Sequence, residues 1–189
     1  NIMVVGLKDS LFFSEDHLLS WKGLENRILK IDGVEQVFSA INAVNLVKNN
    51  DIRKFEPLKI FNFDGEHSNI DSSSQVFKSQ SFYKGLLYNP ETDAYLMLIT
   101  LNREKITKKE RVEFIKNIVN ECKQYETETG NELRYYGLPY IRVTVGEMIK
   151  YEMFLFVALA VIVTTLILLL LFRSIKIVVI SMTVVGISV

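Results

Sequence analysis

Residues 153–172 read MFLFVALAVIVTTLILLLLF, twenty consecutive positions without a charge. The only polar groups in the run are Thr164 and Thr165. A helical threonine hydroxyl bonds back to the carbonyl one turn earlier, so neither opposes entry into hydrocarbon. Twenty helical residues rise about 30 Å, the thickness of a bilayer's apolar core. A core helix of a soluble protein would be shorter and would show a polar face. The pattern therefore predicts a transmembrane helix over 151–172. It follows a domain's length of mixed sequence, which excludes a secretory signal peptide.

The flanks of this run orient it. Lys150, Tyr151 and Glu152 form a mixed, aromatic boundary on its N-terminal side, whereas Arg173 and Lys176 follow it with no acid nearby. Short loops rich in Lys and Arg stay cytoplasmic. Residues 173–176 are thus expected to be a cytoplasmic turn, with residues 1–150 extracytoplasmic. Residues 177–189, IVVISMTVVGISV, read as the start of a second transmembrane helix, folded back as a tight hairpin. The chain opens on Asn1 and closes inside an apolar run, so both ends read as cut from a longer multi-pass protein.

Charge is distributed unevenly. The chain has 22 basic and 22 acidic residues, and every acid precedes residue 153. Taking Arg173 and Lys176 from the 22 basic residues leaves 20 against 22 acids ahead of the span, a net of −2. That balance excludes a polyanion-binding surface, so nucleic acid is not an expected partner. A single cysteine, Cys122, excludes an internal disulfide and any multi-cysteine metal site.

Upstream of the span the patterning is that of an α+β domain. Asn1 to Gly6, NIMVVG, is apolar and β-branched, a buried strand. Ser14 offers an N-cap, with Glu15 and Asp16 in the first turn, where acids favour the helix dipole. Leu18, Trp21, Leu24 (with Glu25 beside it), Ile28 and Ile31 recur at helical spacing. Gly33 is expected to close that helix, and Val34 to Phe38 to form a second strand. Residues 40–49 suggest a short helix, and residues 68–80, serine-rich, a loop or helix start. Ala94 to Leu101, AYLMLITL, is continuously apolar, which predicts a central strand buried on both faces. Thr107 to Glu110 is a capping box. The helix it opens carries Val112, Ile115, Val119 and Cys122 on one face, widened by Phe114, Ile118 and Tyr125. Gly130 breaks it, Glu132 to Tyr136 forms a last strand, and a helix from about Tyr140 leads into the membrane. The order β-α-β, insertion, β-α-β predicts a ferredoxin-like porter-type domain with both helices on one face of the sheet. The insertion, about residues 40–92, is long for a compact domain, as functional or flexible segments are.

No catalytic set stands out, and no enzyme is predicted. His17 and His67 are far apart, without metal-ligand spacing. Cys122 falls on an apolar helix face, where it reads as a small hydrophobe and not a nucleophile. Glu15 and Asp16 are consecutive on a helix and point in different directions, and helix-start electrostatics accounts for them. Lys108 and Lys109 sit among acids as an ordinary solvated face. No glycine-rich phosphate loop is present. The site expectation is therefore no catalytic, cofactor-binding or metal-ligating residue. One apolar ligand groove is suggested, by the aromatics between Phe55 and Tyr83 in the insertion. No ionisable group lies within 153–172, so any ion relay belongs to other membrane segments.

Several landmarks, in order, resemble one family. Ile31-Asp32-Gly33-Val34-Glu35-Gln36-Val37-Phe38-Ser39 is similar to the I-x-G-V-x-x-V-x-S stretch of resistance-nodulation-division (RND) exporters, especially their MmpL/Patched-like hydrophobe-exporting branch. The strand Ala94 to Leu101 before a helix follows. Gly137-Leu138-Pro139 resembles the G-L-P ahead of the second membrane helix, and Phe172-Arg173-Ser174 the F-R-S that closes it. The resemblance implies a piece running from just after the first membrane helix into the third. Its soluble part would be the first porter region of an inner-membrane exporter that moves lipids or other amphiphiles on an ion gradient. Implied partners are the bilayer, a hydrophobic or amphiphilic substrate, the remainder of the parent transporter and further copies of it. The family's proton-carrying carboxylates lie in later helices, so no relay residue is transferred here. No Gly or Pro lies between Glu147 and Phe172. The sequence thus allows a helix continuous from domain to bilayer, able to transmit a tilt as a flexible linker does not. Two rival readings stay open: an FtsX-like permease that passes mechanical work from an ATPase, and a membrane-anchored extracytoplasmic ligand sensor.

Overall fold

The computed structural model describes residues 1–49, 54–63, 69–102, 110–172 and 175–188. They fall into two compact units, Asn1–Val143 and Thr144–Val189. The first is α+β, and the second is helical.

In chain order the elements are β1 (Ile2–Lys8), α1 (Glu15–Leu29), β2 (Val34–Phe38), a 3-10 turn (Ala40–Asn42), β3 (Val44–Asn49) and β4 (Lys54–Lys59). There follow α2 (Ile70–Ser79), β5 (Tyr88–Asn89), β6 (Ala94–Leu101), α3 (Glu110–Thr129), β7 (Leu133–Tyr136), α4 (Leu138–Phe172) and α5 (Ile175–Ser188). The main sheet has the order β2-β6-β1-β7, with every pairing antiparallel. Gly6 of β1 stands opposite Leu96 on one side and Arg134 on the other. The short β5 pairs with the start of β6, Tyr88 to Tyr95, alongside the stretch where β2 pairs with its end. β3 and β4 form a separate two-stranded hairpin.

Strand periodicity sets the core. Met3, Val5 and Leu7 of β1 are 1% exposed or less, and they share a sheet face with Tyr95, Met97, Ile99 and Leu101 of β6. α1 supplies Leu18, Trp21, Leu24 and Ile28 to the same core, and α3 supplies Phe114, Ile115, Ile118, Cys122 and Tyr125. The two helices pack on each other. Their ion pairs, Arg27 Nε to Glu121 at 3.0 Å and Arg27 to Glu128 at 3.4 Å, are partly solvated and add little. On α1 the expected stripe is buried from Leu18 to Ile28, whereas on α3 Ile115 and Cys122 are buried with Phe114, Ile118 and Tyr125 while Val112 and Val119 are only partly covered.

Four expectations need correction. β6 is central, yet its burial alternates strictly. Ala94, Leu96, Leu98 and Thr100 are only half-covered, because both packed helices lie over the opposite face. An apolar run does not by itself report two-sided burial. α1 ends at Leu29, with Lys30 as C-cap bonding back to Arg27 and Ile28. Gly33 instead shapes the turn into β2, at φ 104°. Residues 40–49 are a single 3-10 turn followed by a strand, not a helix: Ser39 and Asn42 bond reciprocally and close the turn. The helix after β7 begins at Leu138, two residues before the expected start. The serine-rich stretch is helical over Ile70–Ser79, capped by Asn69 Oδ1 accepting from Ser72 N–H at 3.3 Å. The capping box at Thr107, the Lys108–Lys109 pair, His67 and the turn residues Arg173 and Ser174 lie outside the described residues.

Candidate functional site

α4 is one uninterrupted helix of 35 residues, Leu138–Phe172. Among the described residues it is the one helix long and apolar enough to cross a membrane, and its most apolar window is 0% buried. That exposure separates it from a soluble core helix, which hides its apolar side chains. Phe154 is 73% exposed and Leu170 77%. No water is available in hydrocarbon, so every polar group must bond internally. Thr164 Oγ1 donates to the Ala160 carbonyl at 2.8 Å, and Thr165 Oγ1 to Val161 at 2.7 Å. Thr183 in α5 does the same to Val179 at 2.8 Å. All three hydroxyls are thus compatible with a lipid environment.

Among the described residues, several aromatics of the insertion turn into the core, and Phe61 and Phe63 border a cleft of mixed polarity. Phe61, Phe77 and Tyr83 are buried, and they pack with Phe12, Phe13, Tyr88 and Tyr95 into one aromatic core. Phe12 stacks on Tyr95 at 4.0 Å between centroids, and Phe77 on Tyr83 at 5.3 Å. Burying rings this large contributes more than an open groove would. Tyr83 also pins the β3–β4 hairpin, its hydroxyl donating to the Val44 carbonyl at 2.7 Å and accepting from the Val44 N–H at 2.9 Å. Phe55 and Phe82 remain exposed.

Among the described residues the buried polar side chains Asp9, Glu25 and Ser39 all have hydrogen-bond partners, whereas the Trp21 indole N–H is buried without one. Glu25, 6% exposed, accepts from Ser39 Oγ and from Asn42 Nδ2, both at 2.7 Å. Asn42 Nδ2 donates in addition to the Val37 carbonyl at 2.8 Å. The carboxyl thereby locks the corner between β2 and β3. Burial raises its pKa above the ordinary 4.5, partly offset by the Ser39 hydroxyl and the Lys22 charge. Beside it lies a cleft of about 220 Å³ bordered by Lys22, Asn26, Lys59 and Phe63. Lys22 Nζ sits 4.2 Å from the Phe63 ring centroid, a cation–π contact. The sequence pattern placed Glu25 beside an apolar stripe. A charged residue on that stripe, followed by Ser39 and Asn42 across a turn, was the available signal for this network.

His17, near the start of α1, is partly buried. Its Nδ1 meets Asp9 Oδ2 at 2.5 Å, and Asp9 Oδ1 accepts from the Leu11 N–H at 2.9 Å, tying down the β1–α1 connection. Glu15 and Asp16 occupy the first turn of α1 as expected. Ser14 stands at its N-cap without a side-chain hydrogen bond. Cys122 is fully buried, and burial pushes its thiol up to about 12, so it is a poor nucleophile at neutral pH. Among the described residues no group of three or more His, Cys, Asp or Glu side chains is placed to hold a metal ion.

The sequence profile of the MMPL family matches residues 34–189, which takes in β2, the insertion, β6 to β7 and both apolar helices. No curated protein matches the chain.

Proposed function

This chain belongs to the MMPL family, and from that premise we propose that it is part of an RND-type exporter of lipids or other hydrophobic and amphiphilic compounds, driven by an ion gradient. The observation that carries the reading is the exposed, uncharged run 153–172 in the C-terminal part of α4, in one helix with residues of the α+β unit. In this reading the α+β unit is the periplasmic, substrate-handling wall and takes no part in bond chemistry. The strand order β2-β6-β1-β7, with α1 and α3 as the two crossovers, supports a ferredoxin-like porter unit. Arg173 and Lys176 support a cytoplasmic turn and hence a multi-pass, inner-membrane topology. The unbroken run from Leu138 to Phe172 supports a lever that couples domain movement to ion flow elsewhere in the transporter. Neither the ATPase-partnered permease nor the ligand sensor has an observation in its favour.

The test is export by the full parent protein in proteoliposomes carrying a fluorescent lipid, with and without an imposed proton gradient. Lipid movement that requires the gradient, and that is lost when a Gly-Ser linker is inserted after Lys150, is the expected result. Gradient-independent movement, or full activity with the linker in place, refutes the coupling or the lever respectively.

A further inference from the structure

The main sheet has a second face, turned away from α1 and α3. It carries Val4, Gly6 and Lys8 of β1, with Leu98, Leu96 and Ala94 opposite them on β6, and Tyr136 and Arg134 opposite Val4 and Gly6 on β7. Their sequence neighbours are the core, whereas Ile2 and Tyr136 on this face are 50% and 52% exposed. Over it lies a cavity of about 570 Å³, bordered by Gly6, Lys8, Ala94, Leu96, Arg134 and Tyr136. Gly6 deepens the centre. A Cβ there would stand 3.3 Å from Leu96 Cδ2 and 3.9 Å from the Tyr136 ring, in the space that the cavity occupies. A glycine inside a paired strand marks a close approach of this kind.

We propose that this face binds a single-tailed anionic amphiphile, with its headgroup between Lys8 and Arg134 and its tail along Leu96, Leu98, Val4 and Ile2. This rests on the exporter reading and names the class of compound that the wall handles. Lys8 and Arg134 are exposed and form no ion pair among the described residues. Glu132 also borders the cavity, which leaves its rim one charge positive. An anion is therefore favoured there and a cation is not. From Lys8 to Ile2 the strand runs about 20 Å at ~3.3 Å per residue, enough for an extended alkyl tail on an apolar floor. A peptide strand is not the occupant, because β1 is paired on both sides and has no free backbone for strand addition.

The experiment uses the full parent protein in lipid nanodiscs, without an ion gradient, and dodecyl phosphate carrying a diazirine at its chain end. We expect saturable photolabelling of the peptides bearing Val4, Leu98 or Tyr136. Lys8→Gln with Arg134→Gln should cut that labelling about tenfold, the sum of two screened charge contacts. Gly6→Val, which fills the trough against the movable tip of Leu96, should abolish it while Trp21 emission stays native. Equal labelling by the matching dodecyltrimethylammonium probe overturns the proposal, as does indifference to the double substitution. Competition by inorganic phosphate as strong as by dodecyl phosphate makes it a free-anion site, which also overturns it. So does a photoreactive residue at position 136 that cross-links only to protein, showing the face covered by another segment or copy. Labelling needs no gradient, so a transport-dead protein that still labels refutes only the exporter reading. A protein that exports but does not label refutes only this site.

Discussion

Gly137→Ala adds one methyl group where the chain passes from β7 into α4. Gly137 has φ 112°, and an alanine Cβ there would lie 2.6 Å from the Ile2 carbonyl oxygen and 3.2 Å from Met3 Cα. Both are backbone atoms of β1, held in register opposite Thr100 and Ile99, so neither can swing aside as a side-chain tip would. Holding an L-residue at positive φ costs about 1–2 kcal/mol. Relieving the overlap shifts packed backbone, about 1–3 kcal/mol, and loosens a ladder hydrogen bond, about 1 kcal/mol. The destabilisation should total about 3–6 kcal/mol, within the range reserved for strained or overpacked sites. Urea unfolding of the full chain in detergent micelles, followed by Trp21 emission, measures it directly. Trp21 is the single tryptophan and is 0% exposed, so it reports on this unit's core. Gly23→Ala is the control: it sits mid-α1 with nothing within 4 Å of a new Cβ. It should gain up to about 1 kcal/mol. If Gly137→Ala unfolds within about 0.5 kcal/mol of the parent chain, the reasoning from positive φ and backbone overlap is wrong.

Glu25→Gln should flatten the pH dependence of stability. The folded carboxyl holds its proton to higher pH than the unfolded one, whose ordinary value is 4.5. The folded state therefore binds more protons between those two values, and stability falls as pH rises through that window. Parent and Glu25→Gln unfolding free energies should diverge as pH rises above 4.5, to the parent's disadvantage at the higher pH. A constant difference across that range contradicts the assigned desolvation. Ile162→Arg places a charge near the middle of the uncharged run and should cost membrane insertion about 2.5–3.5 kcal/mol. In a microsomal insertion assay the inserted fraction should collapse, and unaltered insertion would show that this run does not rest in hydrocarbon.

How much was legible in the sequence follows from what each pattern measures. The stripes of α1 and α3 were readable because a helix that buries one face must repeat its apolar residues every three or four positions. The same logic located β1, β6 and β7. It failed at the other face of β6, since alternation in burial is set by which side the helices cover, and leucines on the open side look like leucines in a core. It also failed in the insertion. There the aromatics from Phe61 to Tyr83 lie in short elements of different type, with no shared period to show that they converge on Phe12, Phe13 and Tyr95. The Glu25–Ser39–Asn42 lock and the Asp9–His17 pair join residues that are separated along the chain, so no local window contains them.

The apolar length that makes α4 a candidate membrane span was determined by sequence alone, because transfer of side chains into hydrocarbon depends on composition and length and needs no neighbour. Strand order, the turn at Gly137 and the two unlike faces of the sheet were decided by tertiary structure. Each depends on which distant segments meet, and a free energy of contact belongs to the pair and to neither residue by itself.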